Sequence, residues 1–293
     1  MKFGFSSYSF HAKMRTGEMS ILDVIDWVAE SEAEHLEFAV LTDDADSPVP
    51  NINTPAERIA EIKKHAADRG VTLSNLAVGA NFFSDDPSEV AAEVERVTRY
   101  VELAAEFGIT RMRHDVVRHA GVQGDDTPEF EKAFPLIVAS AKEIAQYAAG
   151  RGITTSLENH GFFVQSSDRV RRIIHAVDEP NFGTTLDIGN FLCVDEDPTV
   201  AVPANLPYAT VVHFKDFYVR TEDPGEGWFR SRGGKYLCGA IVGNGDIDTR
   251  RVARAIKESG FDGFASIEFE GAEDCLLGCA RGIANAKRLY AEA

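Results

Sequence analysis

Cysteine is scarce in this chain, and its scarcity excludes one class of protein. Four of the 293 residues are cysteines, and no two of them form a CxxC pair. Small secreted domains that depend on disulfides carry far more. The chain is long enough to bury a large apolar core, so we expect it to fold without disulfide bonds.

Long apolar runs and an excess of positive charge are also missing. No stretch approaches the ~18 apolar residues of a membrane span, and the N-terminal MKFGFSSYSF lacks the apolar segment of a signal peptide, so we expect a cytoplasmic protein without membrane contact. Lysine and arginine number 30 against 47 aspartates and glutamates, which gives a net charge of −17. Such a surface repels phosphate backbones, so nucleic acid is not an expected partner, whereas a metal cation or a neutral small molecule is.

Short apolar runs alternate with longer amphipathic ones along the whole chain. ILDVIDWVAE (21–30), for example, has apolar residues at helical spacing. The eight predicted strands lie at 2–7, 35–40, 71–78, 109–114, 153–158, 182–187, 209–214 and 264–269. Eight strand–helix units in strict alternation predict a single α/β domain over 1–293, a (β/α)₈ TIM barrel. A doubly wound open sheet is the alternative, but it often has a GxGxxG turn after its first strand, and none is present here.

One long segment interrupts the alternation. Residues 217–248 separate the seventh strand from the next helix and include Trp228, Phe229 and Tyr236. A connection of this length in a compact domain is either functional or disordered, and its aromatic residues favour an ordered one. We interpret it as a loop insertion that forms either a lid over the barrel mouth or part of a subunit interface.

Acidic residues and a histidine end several of the predicted strands. Active sites of this architecture lie at the carboxyl ends of the strands, where Glu158, Asp187, His213 and Glu268 can point to one place. Three carboxylates at one point repel each other unless a cation lies between them, so we predict a divalent metal site with the histidine as fourth ligand. The oxygen-rich set favours Mn²⁺, with Mg²⁺, Co²⁺ and Zn²⁺ as alternatives. Glu270 could replace Glu268 if the strand register differs.

Further polar residues at the same strand ends are candidates for substrate chemistry. We predict His160 and Lys215 as catalytic residues beside the two glutamates, because they follow Glu158 and His213 by two positions. For Asn159, Asn190 and Lys215, local hydrogen bonding is an equal alternative to substrate contact. Asp216 faces away from its neighbour Lys215 and is expected to belong to the scaffold. The predicted substrate contacts are His114, Asn159, Asn190, Glu37 and Trp228.

Four motifs, SLENHG, TLDIGN, VHFKD and SIEFEG, together resemble the xylose isomerase-like TIM barrels, the sugar phosphate isomerase/epimerase superfamily. The resemblance spans the whole chain and implies the metal set derived above, with Glu158 and Glu268 acting as acid and base on opposite faces of a sugar. Many ketose epimerases carry a histidine after the sixth-strand aspartate, where this chain has DIGN. GGKYLCGAIVGNGD and IEFEG are more similar to the branch of 3-oxo-glycoside epimerases and C-glycoside deglycosidase large subunits, which implies a homo-oligomer or a complex with a small subunit.

The expected reaction begins with proton removal next to the carbonyl of a keto sugar or 3-oxo-glycoside, through a metal-stabilised enediolate. Returning the proton elsewhere gives isomerisation or epimerisation, and expelling a β-substituent gives elimination, the lyase alternative. An endonuclease IV-like DNA repair enzyme shares the fold, but eight histidines and a charge of −17 argue against it. A sugar-binding barrel without catalysis is the remaining alternative.

Overall fold

Eight parallel strands close into a barrel in the computed structural model of the chain, which describes residues 1–118 and 126–293. The barrel strands are β1 (Lys2–Ser6), β2 (His35–Val40), β3 (Thr72–Val78), β4 (Arg111–His114), β5 (Thr154–Glu158), β6 (Phe182–Asp187), β7 (Ala209–Phe214) and β11 (Phe264–Ile267). They neighbour one another in chain order, and β11 closes the barrel against β1. The predicted single-domain (β/α)₈ TIM barrel is confirmed.

Helices surround the barrel and return the chain from each strand to the next. They are α1 (His11–Arg15), α2 (Ile21–Glu30), α3 (Ala56–Asp68), α4 (Pro87–Phe107), α5 (Thr127–Ala149), α6 (Ser167–Val177), α7 (Pro198–Asn205), α8 (Thr249–Glu258) and α9 (Cys275–Glu292). In the part of the chain that the structure describes, no helix is both long and apolar enough to cross a membrane.

The apolar pattern of the sequence explains how these elements pack. In α2, Ile21, Val24, Ile25 and Val28 are all buried, and a capping box at Ser20 starts the helix. Strands β2 and β6 are buried at every position, as expected for strands covered by side chains inside the barrel and by helices outside. The carboxyl ends of the strands are thereby held rigidly at one end of the barrel.

The insertion after β7 is not an open loop but a three-stranded antiparallel sheet. It consists of β8 (Asp216–Arg220), β9 (Phe229–Arg230) and β10 (Tyr236–Ala240), in the order β8-β10-β9. The expectation of an ordered segment is confirmed, and its description as a loop is corrected. Phe217 and Leu237 anchor the sheet because both are fully buried in a small apolar cluster with Cys193.

Candidate metal centre and active site

Four consecutive strands of the barrel bring together the four predicted metal ligands. Glu158 ends β5, Asp187 ends β6, His213 lies in β7 and Glu268 directly follows β11. Strand register places His213 beside Asp187. Each residue offers one ligand atom, and these four atoms all lie within 4.8 Å of one another. We call these four residues the ligand cluster.

The imidazole of His213 is oriented by a buried carboxylate behind it. Its Nδ1 faces the other cluster members and lies 3.7–3.9 Å from one oxygen of each of their carboxylates. Its Nε2 lies 3.0 Å from the carboxylate of Glu37, which also accepts a hydrogen bond from Ser266. A carboxylate in this position fixes both the orientation of the ring and the nitrogen that carries the proton. Glu37, predicted as a substrate contact, is fully buried and instead supports His213.

Neighbouring polar groups contact the carboxylates of Glu158 and Asp187. Oε2 of Glu158 lies 2.8 Å from Nε of Arg113. Oδ1 of Asp187 accepts the backbone N–H of Asn190 at 2.8 Å. The side-chain amide of Asn190 donates to Oε1 of Glu158 at 3.0 Å, the same oxygen that lies 3.9 Å from Nδ1 of His213. These contacts hold the carboxylates so that their other lone pairs stay directed at the centre.

Two buried atoms at the centre indicate that a cation fits there. Oδ2 of Asp187 and Nδ1 of His213 have no hydrogen-bond partner among residues 1–118 and 126–293. Buried polar atoms are rarely left without a partner, and one ion would satisfy both of these. Three carboxylates with a neutral imidazole form a donor set that binds Mn²⁺, Mg²⁺, Co²⁺ or Zn²⁺. The ligand cluster therefore fits the predicted divalent cation.

The protonation states of Asp187 and His213 depend on the charged groups around them. Burial and the carboxylates of Glu158 and Glu268 raise the pKa of Asp187 to about 7. Burial opposes the protonation of His213, yet the carboxylates of Glu37 and Glu268 raise its pKa to about 10. The negative charge that keeps a proton on His213 is the same charge that would attract a cation to its Nδ1.

Lys215 lies at the edge of the ligand cluster and contacts both candidate glutamates. Its Nζ lies 2.7 Å from Oε2 of Glu268, and 3.5 Å from both Oδ2 of Asp187 and Oε2 of Glu270. Glu268 belongs to the ligand cluster, whereas Glu270 does not and lies 3.5 Å from the ammonium group. Although burial opposes protonation, Asp187 and Glu268 raise the pKa of Lys215, so this group is a cation at neutral pH.

A cavity of about 270 Å³ adjoins the ligand cluster, and we call it the inner cavity. His160 and Lys215 line it together with Tyr8 and Arg113. Nδ1 of His160 lies 3.2 Å from Asp115, whose carboxylate in turn accepts a hydrogen bond from Arg113 at 2.7 Å. Desolvation opposes protonation of His160, but the Asp115 carboxylate raises its pKa. Because Asp115 engages Nδ1, the Nε2 atom of His160 is the one available to a substrate.

Two of the predicted substrate contacts take part in local hydrogen bonds. The side chain of Asn159 donates to the carbonyl of Asp187 at 2.8 Å and accepts its N–H at 2.9 Å, so it holds that strand end. Asn190 joins Glu158 to Lys215 through its amide group. The alternative of local hydrogen bonding is therefore the one that the structure provides for both asparagines.

Two further residues that the sequence predicts as substrate contacts, His114 and Trp228, do not line the inner cavity. His114 is fully buried, with its ring packed edge-on against Phe82 at 5.6 Å. Trp228 lies in the insertion, with the guanidinium of Arg220 over its ring at 5.6 Å. Neither side chain is among those that line the inner cavity.

Two residues of the inner cavity, Arg113 and Tyr8, were not among the predicted site residues. Arg113 and His114 are adjacent in β4 and face opposite sides, and the period of two does not say which of them points inward. Tyr8 lies in a short 3₁₀ helix, Ser7–Phe10, directly after β1. Its position just beyond the carboxyl end of a strand was the signal that could have identified it.

Comparison with known proteins gives matches along almost the whole chain. The model of the family described as xylose isomerase-like TIM barrel matches residues 25–292. An inosose dehydratase from Geobacillus thermodenitrificans is 23% identical over 226 residues, covering 71% of this chain and 72% of that protein. A 3-oxo-isoapionate decarboxylase from Pectobacterium atrosepticum is 23% identical over 260 residues, covering 88% of this chain and 81% of that protein.

The fold of the chain also matches that of solved structures. A xylose isomerase-like TIM barrel protein from Mycobacterium smegmatis, crystallised in complex with magnesium, superposes with a TM-score of 0.75 at 20% sequence identity. The match covers 99% of this chain and 97% of that one.

Proposed function

The chain belongs to the family of xylose isomerase-like TIM barrels, and from that premise we propose that it is a divalent-metal-dependent, sugar-modifying enzyme. It would remove a proton next to the carbonyl of a keto sugar or a 3-oxo-glycoside. The observation that carries the proposal is the convergence of four ligand atoms within 4.8 Å beside a cavity of about 270 Å³. Mn²⁺ is our first choice of metal because oxygen donors predominate in the cluster.

The two glutamates of the cluster are the proposed acid and base. A bound divalent cation would polarise the substrate carbonyl and acidify the neighbouring C–H group. Glu158 ends β5 and Glu268 follows β11, with β6 and β7 between them in the barrel, so they approach a substrate from different directions. A carboxylate on each side of the substrate can take a proton from one face and deliver one to the other.

His160 and Lys215 supply the remaining proton chemistry. Asp115 holds His160 with its Nε2 available, an arrangement that lets the ring give or take a proton at the substrate. The ammonium group of Lys215 faces the inner cavity as a cation and can donate a hydrogen bond to an oxygen on which negative charge develops.

Isomerisation or epimerisation is the outcome we place first, and elimination is the second candidate. The curated relative named as an inosose dehydratase supports elimination, since its name describes the loss of water from a keto cyclitol. His160 would then protonate the departing oxygen, whether that oxygen leaves as water or as the aglycone of a 3-oxo-glycoside.

Deuterium exchange tests the proposal. The Mn²⁺-loaded protein is incubated in D₂O with ketoses, 3-oxo-O-glycosides and 3-oxo-C-glycosides, and NMR follows deuterium incorporation and aglycone release. We expect exchange at the carbon next to the carbonyl for at least one class. Exchange without release would refute elimination of an aglycone, and neither process on any member of the panel would refute the proposed enzyme.

The variant Glu158→Gln tests the site itself. Loss of one cluster carboxylate should weaken Mn²⁺ binding and abolish exchange, whereas Glu258→Gln, an exposed residue at the end of α8, should change neither. Unchanged metal affinity and activity in Glu158→Gln would show that the chemistry takes place elsewhere.

A further inference from the structure

A second and larger cavity lies beside the inner one. It has a volume of about 650 Å³, and we call it the outer cavity. Tyr8 and Glu270 line both cavities, so the two spaces meet at these side chains. The inner cavity alone, at about 270 Å³, falls below the volumes of ~300–1,000 Å³ that are usual for ligand pockets. Together the two could hold a substrate of two parts, one of them at the ligand cluster.

The insertion after β7 forms one wall of the outer cavity. Gly227, Phe229 and Gly239 contribute to this wall, and the segment from Tyr8 to Glu18 contributes to another. Strand β10 comes close to the chain after β11 because Gly239 lacks a side chain: a Cβ there would lie 2.4 Å from the carbonyl oxygen of Glu270. Besides the two roles expected from the sequence, a lid or part of a subunit interface, the insertion thus forms a wall of a cavity next to the ligand cluster.

Aromatic rings at the outer cavity offer flat apolar contact. The rings of Tyr8 and His11 are stacked, with centroids 4.9 Å apart and an angle of 19° between their planes. Phe229 packs edge-on against the buried Phe217 at 5.6 Å, yet 37% of its surface remains exposed. Phe269 completes the set and is itself buried. An exposed phenylalanine that is anchored from behind favours a ligand with an aromatic ring of its own.

The charges at the outer cavity exclude an acidic ligand. Lys13, a cation in its lining, already pairs with Glu18 at 3.3 Å and with Asp274 at 3.1 Å. Glu270 and Glu273 add two further carboxylates. The ammonium group of Lys215 lies 3.5 Å from Glu270 but closer to Glu268, at 2.7 Å, so it only partly neutralises Glu270. The surplus of negative charge repels carboxylates and phosphates, and it accepts neutral or cationic groups.

We propose that the outer cavity is a second subsite, built by the insertion, that binds a neutral aromatic group attached to the sugar held at the inner cavity. This inference rests on the proposed function and deepens it, since it assigns the substrate to sugars that carry an aromatic substituent. Phe229 is the side chain that would face that substituent.

Three probes test the subsite. Phenyl and methyl 3-oxo-β-D-glucopyranoside are compared by the KM for solvent-deuterium exchange, and phenol alone is followed by saturation-transfer NMR. We expect the phenyl glycoside to have a KM lower by about tenfold, as the burial of one ring would give. Phe229→Ala should remove most of this preference, and Ala12→Phe, at an exposed position on α1 that lines the cavity, should remove it by filling the space.

Tyr236→Ala is the matched control. Tyr236 precedes Leu237, which pairs directly with Phe229, so its side chain points to the opposite face of the same small sheet. This variant should keep the preference for the phenyl glycoside. Because Ala12 is exposed, Ala12→Phe should fold normally. If this variant retains the full preference for the phenyl glycoside, the subsite is refuted.

The two proposals fail in different ways. Exchange with both glycosides at equal KM would leave the proposed function standing and refute the subsite. Saturation transfer to phenol that Ala12→Phe abolishes, with no exchange of any ketose or 3-oxo-glycoside, would support the subsite and refute the proposed chemistry.

Discussion

Among single side chains, Glu37 shows how a residue can influence the candidate metal site without belonging to the ligand cluster. It is fully buried, and its carboxylate has His213 and Ser266 as hydrogen-bond partners. Burial opposes its ionisation, but His213 lowers the pKa of Glu37, so the carboxylate stays charged. Because it fixes the ring of His213, its effect should appear in the binding of the metal.

We therefore predict that Glu37→Gln binds Mn²⁺ about 10–100-fold more weakly than the wild type, the usual effect of removing a partner behind a ligating histidine. Isothermal titration calorimetry measures the dissociation constant. Glu34→Gln, at an exposed position just before β2, is the control and should bind normally. Equal affinity in Glu37→Gln and the control would contradict a supporting role for Glu37.

His35 makes the stability of the barrel depend on pH. It is fully buried, its Nε2 lies 3.3 Å from the carbonyl of Ala265, and its Nδ1 lies 2.8 Å from the hydroxyl of Ser74. A neutral ring satisfies both contacts, since one nitrogen donates and the other accepts. Burial lowers the pKa of His35 from 6.5 to about 4.

The unfolded chain therefore binds a proton at this residue at a higher pH than the folded chain does. Above pH 6.5 the histidine is neutral in both states and has no effect. As the pH falls from 6.5 to 4, we predict that it lowers the free energy of unfolding by about 1.4 kcal/mol per pH unit, or about 3 kcal/mol in total. Urea unfolding of the wild type and His35→Gln across this range measures the difference in slope, and parallel curves would contradict the prediction.

At the scale of secondary-structure elements, Asp216 holds the end of the insertion to the barrel. Its buried carboxylate accepts backbone N–H groups from Gly243 and Gly245 at 2.9 and 3.0 Å, and from Phe217 at 2.9 Å. A Cβ at Gly245 would lie 2.2 Å from this carboxylate, so the chain can approach only as glycine. The expectation that Asp216 belongs to the scaffold agrees with these contacts.

Asp216→Ala should destabilise the protein by about 3 kcal/mol, because it leaves several buried N–H groups without their charged acceptor. Chemical denaturation measures the loss, and hydrogen exchange should show faster exchange at 243–247. Asp223→Ala removes a comparable acceptor, that of the Gly225 N–H at the exposed end of the insertion, and should cost far less. Equal losses in the two variants would show that the anchor at Asp216 is unimportant.

The elements also show how far the sequence alone predicts the structure. Predicted strands at 35–40, 182–187 and 209–214 and the helix at 21–30 have the observed bounds, because each has a clear apolar period and polar or turn-forming residues beside it. The sequence predicts a loop for the insertion, because its short strands pair antiparallel with each other and carry no long apolar period. Pairing between distant segments is not encoded in local spacing.

The same distinction applies to the candidate site. The ligand cluster could be predicted because it depends only on strand order, strand ends and a period of two. The roles of Glu37 and Asn159 could not, because each depends on a contact with a distant residue, His213 or Asp187. Side-chain reach and rotamer, which decide such contacts, do not appear in the sequence.

At the scale of the whole molecule, the candidate metal site forms only when four separate parts of the chain come together in the closed barrel. The ligand cluster spans from Glu158 to Glu268 and joins four of the eight strands. An unfolded chain cannot hold these four groups within 4.8 Å of one another, so a cation should bind the folded state almost exclusively. Metal binding and global stability should therefore be linked.

At a free Mn²⁺ concentration 100 times the dissociation constant, we predict a gain of about 2.7 kcal/mol in the free energy of unfolding. For a chain of this size that corresponds to a rise of about 5 °C in Tm. Differential scanning calorimetry with and without Mn²⁺ measures the rise, and excess EDTA should reverse it.

Asp187→Asn should lose the rise in Tm, because a neutral amide replaces the carboxylate whose Oδ2 faces the centre of the ligand cluster. A Tm that Mn²⁺ raises equally in Asp187→Asn would show that the ion stabilises the fold from another site on this acidic surface, because any site that binds only the folded chain raises Tm.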